Sequence, residues 1–279
     1  MRPIIAYPGV PGSFSCAAAQ EAFPQGEYRG FPTFPEAAQA VIASQADYAL
    51  LPVENSFAGI VLPTYALLEK LPLHIVAERT KAVRHQLLGV PGAKPADVKQ
   101  ISSHPQAIAQ CDAFLATMKG VQLVPSANTA ISAQEVAAKG DPSCAAIASE
   151  EAARTYGLEI LCHDIQTSAH NTTRFFVLSR DAKPLATPGK ATVVFTVKNE
   201  VGSLMRVLSS FAASGLNMSR IESRPLPDTT FAYFFSADFE GPMDPDHLKA
   251  AMDAARPVTE ELRLLGVYPK NYVCENEKV

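Results

Sequence analysis

The sequence predicts an α/β protein of two successive domains, and three patterns predict it. Apolar runs alternate with amphipathic or alanine-rich segments through the first two thirds of the 279 residues, as in parallel strands joined by helices. Within "RDAKPLATPGK", residues 181–190 lack periodicity and hold two prolines and a glycine, as a linker does. Residues 191–279 then run strand, helix, two strands, helix, strand, a ferredoxin-like βαββαβ order.

Each element has its own signal. "IIAY" at 4–7 is a strand, Ser13 or Ser15 caps a helix through Ala22, and Pro35 opens another at its first turn. "YALLPV" from Tyr48 to Val53 is a buried strand, and the β-rich stretch 73–90 is long enough to cross between two lobes. Pro105 starts a helix with Ile108, Cys111, Leu115 and Met118 on one face, "VQLVP" resumes β character, and Ser126 caps a helix through Ala138. "CAAIAS", a helix to Tyr156, "LEILCHDI" and "RFFVLS" finish the alternation. In the second domain "ATVVFTV" is a strand, and the next helix keeps Leu204, Val207, Leu208 and Phe211 on one side. "NMSRIESRPL" and "TFAYFFSADF" form two strands joined around Pro227 and Asp228. A helix from Pro245 to about Leu262, interrupted near Pro257, leads to the last strand, "LRLLGVYP".

Composition narrows the function classes. A chain that is 47% hydrophobic and 19% charged buries one large core or two smaller ones. A net charge of -4 without a sustained basic run argues against nucleic acid as partner and for a small molecule. No stretch has the length and apolarity of a signal sequence or a bilayer span, so a cytoplasmic protein without membrane partners is expected. Five scattered cysteines offer no disulfide framework or CxxC motif, and six histidines show no HExxH spacing, so no metal is expected.

Four segments put polar groups at predicted strand ends, where open α/β sheets build their sites: "PGVPGSFS", "PVENSFAG", "SSHPQAIAQC" and "HNTTRFF". The last of these has two readings. It is a loop entering a buried strand with Arg174 turned to water, or a cluster of neutral donors beside one cation, suited to an anionic substrate with a departing oxygen.

Taken in this order and followed by "GLNMSRIESRP", the four segments resemble the prephenate dehydratase family with its ACT regulatory domain, over nearly the whole chain. The resemblance implies a type II periplasmic-binding-protein-like catalytic domain over 1–180. Its lobes would be about 1–77 plus 164–180 and about 78–163, with the ACT domain over 191–279. It implies decarboxylative dehydration of prephenate to phenylpyruvate, with no cofactor and no metal. The family's Thr-Arg-Phe motif falls on Thr173, Arg174 and Phe175, its Glu-Asn-Ser motif on Glu54, Asn55 and Ser56, and its His-Pro-Gln motif on His104, Pro105 and Gln106. Many members carry Glu where this chain has Ala58, and the first loop, commonly "GPEGTFS", is "GVPGSFS" here with both glycines and Ser15 retained. The sequence starts at the first strand, so no chorismate mutase segment is expected ahead of it.

From this follow the expected roles. Thr173 donates to the leaving hydroxyl, Arg174 anchors a carboxylate, and Asn55, Ser56 and Gln106 orient the ring substituents, while Ser15, Glu54, His104, Thr172 and Phe175 complete the substrate site. His104 and Glu54 are the alternative acids. Gly202, Ser203, Leu204, Asn217, Glu222, Ser223, Arg224 and Pro225 form an L-phenylalanine site between paired ACT domains, which implies a homodimer or homotetramer. Arogenate dehydratase, or a non-catalytic amino-acid sensor, is the alternative.

Overall fold

A computed structural model describes residues 2–225 and 233–274, so the turn expected around Pro227 and Asp228 lies outside the described residues. The first stretch of chain runs β1 (Ile4–Pro8), α1 (Phe14–Ala22), β2 (Glu27–Phe31), α2 (Phe34–Ile42), β3 (Tyr48–Asn55), β4 (Gly59–Ile60), α3 (Leu62–Lys70) and β5 (His74–Ala82). It continues through β6 (Gln86–Gly89), β7 (Gln100–Ser103), α4 (Pro105–Gln110), α5 (Asp112–Leu115), β8 (Gln122–Pro125), α6 (Thr129–Lys139), β9 (Cys144–Ala148), α7 (Glu150–Tyr156), β10 (Glu159–Cys162) and β11 (Thr172–Ser179). Last come β12 (Lys190–Thr196), α8 (Ser203–Ala213), β13 (Asn217–Pro225), β14 (Tyr233–Glu240), α9 (Pro245–Ala255) and β15 (Glu261–Tyr268). The fold is mixed α/β and divides into two compact units, Met1–Glu69, Arg79–Phe176 and Val273–Val279 in one, Lys70–Glu78 and Val177–Tyr272 in the other.

The first unit holds two sheets. One runs β2-β1-β3-β11, with β1 parallel to both β2 and β3; the other runs β10-β6-β9-β7-β8. Helix starts follow from their caps: Ser13 Oγ accepts from Cys16 N, Thr33 Oγ1 from Glu36 N, and Ser149 Oγ from Ala152 N. Three expectations are corrected here. The helix from Pro105 breaks at Cys111, whose backbone leaves helical geometry, before α5 begins. The cap of α6 is Asn128, extended and accepting from Ala130 N, and not Ser126. Strand β2 and helix α3 are additional to the expected elements. Gly12 sits at φ +80, and a Cβ there would lie 2.8 Å from Ala152 Cα, so the first loop needs glycine for both conformation and space.

The second unit contains a four-stranded antiparallel sheet, β13-β14-β12-β15. With α8 and α9 this is the ferredoxin-like topology. Val193, Phe195, Val207, Phe211, Phe239 and Leu248 are among the residues of its core. Helix α9 stops at Ala255, and a 3-10 turn through Pro257 separates it from β15, so the expected continuation to Leu262 is corrected. Inside the unit, buried Lys190 pairs with Glu78 at 2.9 Å and lies 3.8 Å from Asp238, whose Oδ1 accepts from Thr192 at 2.8 Å. Among the described residues no helix is long and apolar enough to cross a membrane, and no cluster of His, Cys, Asp and Glu is placed to hold a metal. The five cysteines are free thiols.

Candidate active site

Inside the first unit lies a cavity of about 670 Å³, in the size range of small-ligand pockets. It sits beyond the carboxyl ends of β1, β3, β7 and β8, where Pro8, Gly9, Asn55, His104 and Ala127 belong to its wall. The first turns of α1 and α6 also border it, through Phe14 and Ser15 and through Thr129. Helix starts present backbone N-H groups and partial positive charge to whatever enters.

Of the residues singled out from sequence, Ser15, Asn55, His104, Gln106, Thr173 and Phe175 line the cavity. Their local chemistry is specific. Asn55 Oδ1 accepts from Phe57 N at 3.1 Å and Ala58 N at 2.9 Å, which fixes which end of the amide is oxygen. Its Nδ2 therefore donates to Thr173 Oγ1 at 3.0 Å and to Asn171 Oδ1 at 2.8 Å. Since Thr173 Oγ1 is already an acceptor, its own proton is available for a bound molecule. Nδ1 of His104 accepts from Gln106 N at 3.2 Å, so this histidine caps α4 while bordering the cavity.

Four expected residues are not brought to the cavity wall, and Arg174 is the main correction. Side chains alternate along a strand, so when Thr173 and Phe175 face the cavity, Arg174 and Phe176 face the other way. Arg174 is buried, 3.2 Å from Glu54 Oε2, with its guanidinium 5.1 Å from the Phe176 ring centre and 3.3 Å from Tyr65 Oη. It does not stand where it would anchor a carboxylate, and Glu54 is its ion partner instead of a cavity acid. Ser56 and Thr172 tie two loops together: Ser56 Oγ donates to His170 O and accepts from Thr172 N, both at 2.9 Å.

His85, which no sequence motif singles out, is among the other residues that line the cavity. Its Nε2 lies 2.8 Å from Gln110 Oε1, which also accepts from Asn171 Nδ2 at 2.8 Å. Burial lowers its pKa below the usual histidine value, with the Gln110 hydrogen bond opposing. A lone histidine in "AVRHQLLGV" carries no motif signal and reads as core.

The expected effector residues lie in the second unit. Gly202, at φ 77, begins α8, and Ser203 Oγ accepts from Arg206 Nη2 at 2.9 Å. Leu204 packs on the unit's core, and Asn217 begins β13. Glu222, Ser223, Arg224 and Pro225 follow along β13, paired with β14 and at the end of the sheet order. Exposed Val201, Met205 and Met218 lie on the same segments.

Comparison with known proteins identifies this arrangement. A family model described as prephenate dehydratase matches residues 5–183. An Arabidopsis thaliana arogenate dehydratase/prephenate dehydratase 1 is 39% identical, covering 96% of this chain and 72% of the relative. A Komagataeibacter europaeus bifunctional N-acyl-homoserine lactone acylase/prephenate dehydratase is 38% identical over 95% of both chains. The crystal structure of prephenate dehydratase from Arthrobacter aurescens, in complex with L-Phe, is 32% identical with a TM-score of 0.86, covering 96% of this chain and 90% of that one. With a family match over most of the chain and a cavity walled by that family's motifs, the chain belongs to the prephenate dehydratase family of carbon-oxygen lyases.

Proposed function

We propose that this chain converts prephenate to phenylpyruvate in the cavity of the first unit, under control by L-phenylalanine bound at the second. The observation that carries the reading is the Asn55-to-Thr173 hydrogen bond, which leaves the threonine proton free for a bound molecule. Prephenate is a dianion whose ring becomes aromatic when hydroxide and carbon dioxide leave, so aromatisation supplies the driving force. The protein must hold the ring, assist the departing oxygen and keep water from the carboxylate about to be lost. Thr173 donates to that oxygen, Asn55 holds Thr173, and Gln106 and Ser15 orient the carboxylates beside the starts of α1 and α6. Phe175 packs against the ring.

Residues 1–180 are read as a catalytic domain with type II periplasmic-binding-protein-like lobes, and 191–279 as an ACT domain after the 181–190 linker. Supporting the latter are the ferredoxin-like topology and the L-Phe bound to the Arthrobacter relative. Glycine at the start of α8 suits a bound carboxylate, and an end strand bearing exposed Met218 suits pairing with a second copy, giving a dimer or tetramer. A cytoplasmic setting accords with this metabolic role.

The second reading is arogenate dehydration, named in the Arabidopsis relative. Arogenate carries an ammonium, which calls for a carboxylate. Among the described residues lining the cavity there is none, and Ala58 stands where many members have Glu. The test is ultraviolet detection of phenylpyruvate from prephenate, beside product analysis for phenylalanine from arogenate and hydrolysis of an N-acyl-homoserine lactone. A higher kcat/KM for prephenate is expected; a higher value for either competitor refutes the assignment.

A further inference from the structure

Prephenate dianion plus one proton gives phenylpyruvate monoanion, water and carbon dioxide, so every turnover consumes a proton. Thr173 donates a hydrogen bond, yet an alcohol is a poor net proton source near neutrality. A group that takes a proton from solvent and passes it to the departing oxygen is needed. This inference rests on the prephenate reading above.

The amide network singles out one candidate. The carbonyl end of Asn55 is fixed by two backbone N-H groups, which fixes Asn171 and then Gln110 by the chain of hydrogen bonds already described. Gln110 Oε1 is therefore an acceptor, and the Nε2 of His85 that meets it must carry hydrogen. That leaves Nδ1 as the site of the second proton. His85 lines the cavity, is 2% exposed, and its Nδ1 is buried without a hydrogen-bond partner. A buried imidazole nitrogen with no partner, on a residue of a cavity wall, is either a packing cost or a contact awaiting the ligand. The same amides hold Thr173 at their other end, through Asn55.

We propose that His85 is the proton donor for the elimination. With the dianion bound, Nδ1-H donates to the ring hydroxyl oxygen as the C-O bond breaks. The oxygen takes that bond's electron pair, the C-carboxylate electrons enter the ring, and water and carbon dioxide depart. His85 is then neutral and is reprotonated from solvent. The imidazole meets the Phe14 ring at 5.6 Å and Gln110, and the backbone N-H of His85 donates to Gln166 Oε1 at 2.8 Å. The charged neighbours Arg84 and Asp164 pair with each other at 2.9 Å. Burial favours the neutral ring in the free protein, and the substrate's negative charge restores the proton on binding.

The experiment is the pH profile of kcat for the parent and for His85→Gln. The acid form is required, so parent kcat falls as pH rises through the value of the occupied site. His85→Gln is expected to lose that alkaline limb and about 10²–10⁴ in kcat, with KM nearly unchanged. A retained limb, or a kcat within a few-fold of the parent, overturns the assignment. If His85→Gln does not fold, nitrogen NMR of Thr173→Val saturated with prephenate decides instead, reading the histidine whose Nε2-H is protected from exchange. A protonated Nδ1 supports the role and an unprotonated one refutes it. A parent chain inert toward prephenate removes the functional reading itself, and is recognised before any variant is made.

Discussion

Replacing Thr173 by valine keeps the volume and branching of the side chain while deleting its hydroxyl. Two contributions change. Asn55 Nδ2 loses the 3.0 Å bond to Oγ1 but keeps Asn171 Oδ1 at 2.8 Å, so the amide stays oriented and the fold loses about 0.5–1.5 kcal/mol. The hydrogen bond from Thr173 to the departing oxygen disappears, and loss of one such preorganised donor costs about 10²–10³ in kcat. Chemistry should therefore suffer far more than folding. Steady-state formation of phenylpyruvate, with urea unfolding in parallel, separates the two, and Thr173→Ser should stay close to the parent because it restores the hydroxyl. Turnover by Thr173→Val within a few-fold of the parent, with binding intact, refutes the placement of the donor.

Other consequences follow from the same geometry. Arg174→Met removes a buried guanidinium and its ion pair with half-exposed Glu54, so it should lower unfolding free energy by about 0.5–1.5 kcal/mol while KM for prephenate moves little; a large KM rise with unchanged stability would restore Arg174 as a substrate anchor. Lys81 meets Glu21 at 2.7 Å and Glu151 at 2.9 Å. Burial pushes both carboxyls up, but their cationic partners outweigh it and hold both below the usual carboxylate value. A depressed carboxylate stabilises above its unfolded value and loses that contribution as pH falls through the folded one, so Lys81→Met should flatten the acid limb of a urea-midpoint profile below about pH 5; an unchanged limb counts against it. L-Phenylalanine titrated calorimetrically should give saturable heat and change substrate affinity by about 5–150-fold, with sedimentation at dimer mass or above. No heat and unchanged kinetics would remove the regulatory assignment.

Local rules made much of the fold legible. Ser13, Pro105 and Pro245 mark helix starts because capping and proline geometry act over a few residues. Strand β2 escaped because "EYRGF" is a mostly exposed end strand whose pairing with β1, not its own pattern, makes it extended. Ser126 and Asn128 are both common cap residues, so residue type does not separate them, and it is Asn128 that accepts from the first turn of α6. In the site, the motifs mark residues as sets, but Thr-Arg-Phe lies on a strand, where neighbours face opposite ways. His85 was illegible for another reason: its significance lies in hydrogen bonds to Gln110 and, through Asn171, to Asn55, which the sequence alone does not bring together.

The displacement of Arg174 from the cavity explains why the two motifs are built from adjacent residues. Strands β3 and β11 are sheet neighbours. One face carries the Glu54-Arg174 ion pair at 3.2 Å, and the other, one residue along each strand, carries the Asn55-Thr173 hydrogen bond at 3.0 Å. A slip of one residue in pairing would turn the guanidinium into the cavity and bury the threonine hydroxyl behind the sheet. Such a slip also strands Glu54 without its cation and forces Phe175 off the cavity wall. The ion pair, with Phe176 and Tyr65 beside the guanidinium, thus opposes that slip and holds the hydroxyl where an elimination needs it. On the proposed reading, Arg174 acts on chemistry through register and Thr173 through contact.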